Sequence, residues 1–153
     1  MLDDQIAMYG FVIVGLGHAP APREPVAVHT VGLHDMGLPE VVAQGLPLEL
    51  STCLLDFAAS WLIDHPGEAD GALQKCVLHV PQHARPVCLT WAQDRLGERV
   101  APLAWERSRG AARFVQICLA DDMGRWPWDG GYQLPVQGPG TCTHGGDAGS
   151  QLH

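Results

Sequence analysis

His29 and Thr30 sit side by side inside an otherwise apolar run, Val26-Ala-Val-His-Thr-Val-Gly-Leu33. A buried polar group without a partner costs roughly 1–3 kcal/mol, so a polar pair placed there demands hydrogen-bond partners. Glu40 and Asp121 are the natural ones. Such a set offers a base, His29 or Glu40, and a hydroxyl, Thr30, which are the parts of a hydrolytic or metal-assisted site. The same residues also make a network that only pins a strand to the Pro39-Glu40 turn, and that structural use is the commoner one. Alternation along a strand lets only one of His29 and Thr30 face a common cleft, and Thr30 is the one expected there. Thr30, Glu40 and Asp121 are then expected within about 10 Å of one another, together with Trp128.

Other candidates are weaker. His18, His29, His34 with Asp35, and Glu40 crowd the first two strand ends, as a Zn²⁺ site would require. Their spacing matches no ligand frame, so surface histidines are expected, with no metal and no cofactor. His79 and His83 flank a turn and read as solvent-facing. Trp126 and Trp128, with Pro127 fixing the chain between them, form a face on which a planar ring stacks. Arg125 beside them suits a phosphate or carboxylate. Thr30, Glu40, Asp121, Arg125, Trp126 and Trp128 are therefore the candidate ligand-binding residues. Cys53, on the apolar stripe of a helix, and Cys118, in a strand, read as inert buried thiols. Gly15-Leu-Gly17 follows a strand, but Ala21 stands where a dinucleotide loop needs its third glycine.

The elements that must position these residues are legible in the pattern. Asp3–Tyr9 reads as a short helix closed by Gly10. Phe11–Leu16 and Val26–Leu33 read as strands, and Val41-Val42 opens a third that ends at Gly45. Pro47 starts the clearest helix, with Leu50, Cys53, Leu54, Phe57, Ala58 and Trp61 on one stripe, before Pro66-Gly67 stops it. Cys76–Val80 and Val87–Trp91 read as a hairpin, 99–109 as a helix, and Ala112–Leu119 as a strand. The fold class is α+β: one domain over 1–135, a bent, mostly antiparallel sheet or partial barrel with one long helix packed on it. Residues 136–153 are Gly-rich and without periodicity, and read as a flexible tail.

Four segments, in this order and spacing, resemble a bacterial family known as domain of unknown function 4262. They are Tyr9-Gly-Phe-Val-Ile-Val, His29-Thr-Val-Gly-Leu, Leu38-Pro-Glu-Val-Val-Ala-Gln-Gly-Leu-Pro and Gln116-Ile-Cys-Leu-Ala-Asp-Asp-Met-Gly-Arg-Trp-Pro-Trp. The family pattern maps onto Thr30, Gly32 and Leu33, then Pro39 and Glu40, then Gly124, Arg125, Trp126, Pro127 and Trp128. His29 replaces an aromatic residue common there, and Leu38 a common histidine. The resemblance implies no established activity.

The 153 residues carry 9 basic and 17 acidic side chains, a net charge of −8. That surface repels phosphate backbones, so no nucleic-acid partner is expected. No stretch approaches the roughly 18 apolar residues of a membrane span. No Lys or Arg precedes Arg23, which argues against a secretory leader, and five widely spaced cysteines suit a reducing cytoplasm. The leading expectation is a small acidic cytosolic protein that binds a protein or small molecule, such as an inhibitor or immunity-type partner of a basic protein. The alternatives are a hydrolytic or metal-assisted enzyme using the His/Thr/Glu/Asp cluster, and a flavin- or nucleotide-binding split barrel using Arg125 and the tryptophans.

Overall fold

The computed structural model describes residues 2–15, 25–67, 76–80, 86–92, 96–121, 123–127 and 129–130. The Gly-rich 136–153 segment, His18, His83 and Trp128 lie outside them. The elements run α1 (Leu2–Tyr9), β1 (Val12–Gly15), β2 (Pro25–Val31), a 3-10 turn (Leu33–Met36), β3 (Glu40–Pro47), α2 (Leu48–Asp64), β4 (Cys76–Leu78), β5 (Val87–Trp91), α3 (Leu96–Val100), α4 (Pro102–Arg107) and β6 (Phe114–Leu119). The fold is α+β, as the pattern implies.

Among the described residues, six strands form one sheet in the order β1-β2-β3-β6-β5-β4, not closed into a barrel. Every neighbouring pair is antiparallel except β3 and β6, which run parallel with Glu40 level with Phe114. Strand β3 does not stop at Gly45. It passes that glycine as a bulge opposite Val26/Ala27 and continues to Pro47. Gly45 has φ 81°, a conformation glycine takes without a Cβ penalty, so the residue that looked like a terminator bends the strand instead.

Alternation along the strands sorts the core onto two faces. Val28, Val41, Ala43, Val115, Ile117 and Leu119 meet α2 on one face. Val31, Val42 and Phe114 meet Ile6 of α1, Val100 of α3, and Ala101 and Ala104, on the other. Helix α2 buries Ser51, Leu54, Leu55, Ala58, Ala59 and Leu62. That stripe is turned by about one residue from the expected one: Phe57 and Trp61 are only half-buried and Cys53 is exposed. The 99–109 helix is two short helices divided at Ala101. Trp105 N–H still reaches the Ala101 carbonyl at 3.0 Å, while Pro102 starts the second helix without an N–H to donate.

Candidate functional site

Thr30 and Glu40 meet as expected. The Thr30 hydroxyl donates to Glu40 Oε1 at 2.8 Å, and Thr30 Oγ1 accepts from Val41 N–H at 2.9 Å. Three backbone N–H groups also donate to the carboxylate: Gly32 at 3.0 Å, Leu33 at 3.1 Å and His34 at 3.1 Å. These are the orphan donors at the start of the 3-10 turn, so Glu40 caps that turn from the strand that follows it. Gly32 makes the geometry possible. Its φ is 123°, and a Cβ there would lie 2.6 Å from the Gly10 carbonyl oxygen.

Glu40 is 1% exposed. Burial pushes its carboxyl above the usual range, while the bonds from Thr30, His34, Gly32 and Leu33 pull against that rise. An ionised carboxylate offers about four acceptor sites, and four donors fill them. Glu40 therefore has no lone pair left for a substrate proton. The Thr-x-Gly-Leu and Pro-Glu segments are two halves of this one node.

Asp121 belongs to a second node of the same kind. Its Oδ1 accepts from Met123 N–H at 2.9 Å and Arg125 N–H at 2.8 Å, and its Oδ2 from Arg125 Nε at 2.9 Å. Asp121 N–H returns a bond to the Arg125 carbonyl at 2.8 Å. The Asp121 side chain is 1% exposed and that of Arg125 is 33% exposed. Trp126 packs on Cys88 and Cys118, and its N–H is accepted by Asp129 Oδ2 at 2.8 Å.

The two nodes do not share a cleft. Because β3 and β6 are parallel, their starts adjoin, and Asp121 lies past the far end of β6. About 17 Å of strand, at roughly 3.3 Å per residue, runs from Phe114 beside Glu40 to Leu119. Thr30 and Glu40 stand at one end of the sheet, with Asp121, Arg125 and Trp126 at the other. His29, on the opposite face from Thr30, joins neither node. Of the loop histidines and carboxylates, Asp35 is bound to Arg107 Nη2 at 2.8 Å, and Arg107 also bonds Asp3. Among the described residues, no three His, Cys, Asp or Glu side chains are grouped as a metal would require.

A further feature, not among the residues expected from the sequence, lies at the edge of the sheet. Tyr9, Phe11, Val12 and Ile13 line a groove of about 420 Å³, closed on its other wall by Asp56 and Ser60 of α2. Tyr9 is 69% exposed and its neighbour Met8 73%. The sequence carries the signal in an uncharged Val-Ile-Val strand that follows a Met-Tyr-Gly helix end.

A family model described as a domain of unknown function (DUF4262) matches residues 5–133. No curated protein and no solved structure matches.

Proposed function

The chain belongs to the DUF4262 family, and we propose that it is a cytoplasmic binding protein that adds an extended, basic segment of a protein partner to the edge of its sheet at β1. The observation that carries this reading is the groove beside that strand. An edge strand exposes unpaired backbone donors and acceptors, and proteins blunt such edges with Lys, Pro, bulges or short strands. The strand β1 reads Val-Ile-Val-Gly and carries no charge or proline. An added strand would find main-chain partners along β1 and apolar contacts at Tyr9, Phe11 and Ile13. Asp56 in the groove wall and the net charge of −8 favour a partner rich in Lys and Arg. An inhibitor or immunity-type role toward a basic protein fits this surface.

Glu40 supports binding over catalysis, because four donors of the fold occupy its carboxylate, and Asp121 takes three more bonds from its own turn. No described helix is long and apolar enough to cross a membrane. The test is a titration of ¹⁵N-labelled protein with synthetic peptides that alternate Lys or Arg with Val, against the same peptides carrying Glu. Shifts confined to Tyr9–Gly15 and α2 around Asp56, stronger for the basic set and weakened by salt, support the reading. Equal response to both sets, or shifts elsewhere, rejects it.

A further inference from the structure

The face of the sheet away from α2 carries two apolar clusters. One gathers Val31, Val42 and Phe114 under the short helices, and the other is Cys88 and Cys118 under Trp126. A polar row runs between and beside them. Val42 is paired with His29 on one side and with Gln116 on the other, and Gln116 is paired with Thr90. Partners in register point to the same face, so all three polar side chains accompany Val42. His29 is 1% exposed and Gln116 fully buried. Neither ring nitrogen of His29 and neither carboxamide atom of Gln116 has a hydrogen-bond partner among the described residues. Buried polar groups in native proteins are paired almost without exception, so two whole side chains left open in one row call for a cause.

We propose that this row is a binding site for a small, uncharged heterocycle with a lactam or carboxamide edge, held by Gln116 and His29 and flanked by Trp126. The chemistry of the row selects that class. The Gln116 carboxamide presents a donor and an acceptor side by side, which matches an amide-like edge with two bonds. Burial holds the His29 imidazole neutral, with its pKa down to about 4, so it adds one further donor and one acceptor. No Lys, Arg, Asp or Glu stands in the row, so a charged ligand would be desolvated with nothing to compensate it. Cys118 follows Gln116 by two residues on the same face, and the indole lying on it is only half-buried. Trp126 is therefore the flank that reaches solvent. This site is separate from the β1 groove, so failure of one leaves the other standing.

Adenine, uracil, nicotinamide and riboflavin serve as probes on the full chain, read by Trp fluorescence and by the side-chain ¹⁵N signals of Gln116 and His29. At least one probe is expected to move those signals. Gln116→Met keeps the side-chain length and removes both polar atoms, and it is expected to weaken that probe at least tenfold while melting at or above the wild-type temperature. His29→Leu should do the same. Two outcomes overturn the proposal. One is that no probe moves either side chain. The other is that both variants melt well below wild type, which would make these groups partners in the fold.

Discussion

Replacing Glu40 by glutamine keeps the size of the side chain and removes one acceptor oxygen. In the wild type, Oε2 takes Gly32 and His34 N–H, and Oε1 takes Leu33 N–H and the Thr30 hydroxyl. A carboxamide has one oxygen. Placed at the Oε1 position, it leaves Gly32 and His34 facing an NH₂ group. Placed at the Oε2 position, it leaves Leu33 and Thr30 facing it, and Thr30 Oγ1 is already accepting from Val41. Either way two donors lose their acceptor, at about 1–3 kcal/mol for each that is buried. The neutral amide regains part of the desolvation that pushes the carboxyl up, so the net loss expected is about 2–4 kcal/mol. A typical domain holds about 5–15 kcal/mol in all. With a urea slope of about 1–3 kcal/mol per molar, the unfolding midpoint should fall by about 1–2 M at unchanged slope. Thr30→Val should couple to it in a double-mutant cycle by about 0.5–3 kcal/mol. A midpoint unmoved by Glu40→Gln would refute the argument that the carboxylate caps the turn.

Gly32→Ala should destabilise severely, since its φ of 123° and the Gly10 carbonyl 2.6 Å from the new methyl both oppose it; a near-native melting temperature would contradict this. Gly97→Ala should be comparably harmful, because a Cβ there meets the Phe114 ring at 2.1 Å. On α2, the fully buried Leu55 should lose about 2–5 kcal/mol as Leu55→Ala, and the half-buried Phe57 less as Phe57→Ala; the reverse order in denaturant titrations would put the helix in the wrong phase. His29, with its pKa down to about 4 against 6.5 in the unfolded chain, binds fewer protons folded than unfolded between those values. Stability contributed by the neutral ring is therefore whole above pH 6.5 and lost as pH falls toward 4, by about 3 kcal/mol at 1.36 kcal/mol per pH unit. Glu40, shifted upward, has the opposite sign. His29→Leu should flatten the acid side of the stability curve relative to wild type, and an identical acid loss in both would exclude His29 as its source.

The Thr30–Glu40 contact is legible because a hydroxyl in an apolar strand must find a partner, and Glu40 opens the next apolar strand, Glu40–Pro47, just past the turn. The place of Asp121 was not readable, because it depends on strand direction. Two strand ends meet in an antiparallel pair, whereas the parallel β3–β6 pair sends the end of one away from the start of the other. Helix α2 is legible in the sequence but its buried face is not, for another reason. Leu50, Phe57 and Trp61 make as good an apolar stripe as Leu55, Ala59 and Leu62, and periodicity does not choose between two apolar faces. Ser51 lies on the buried line because its hydroxyl donates to the Leu46 carbonyl at 3.3 Å, a partner visible only in three dimensions. Gly45 read as a stop because a glycine in a strand marks either an end or a bulge, and the sequence alone does not separate them.

If β1 accepts a partner strand, backbone amide exchange reads it directly. Hydrogen–deuterium exchange of the full chain, with and without a bound Lys/Val-alternating peptide, should show protection gained at the amides of Val12–Gly15. The same peptide N-methylated at alternate residues should give none, because it cannot complete the ladder. Protection that appears away from β1, or that survives N-methylation unchanged, would contradict the account.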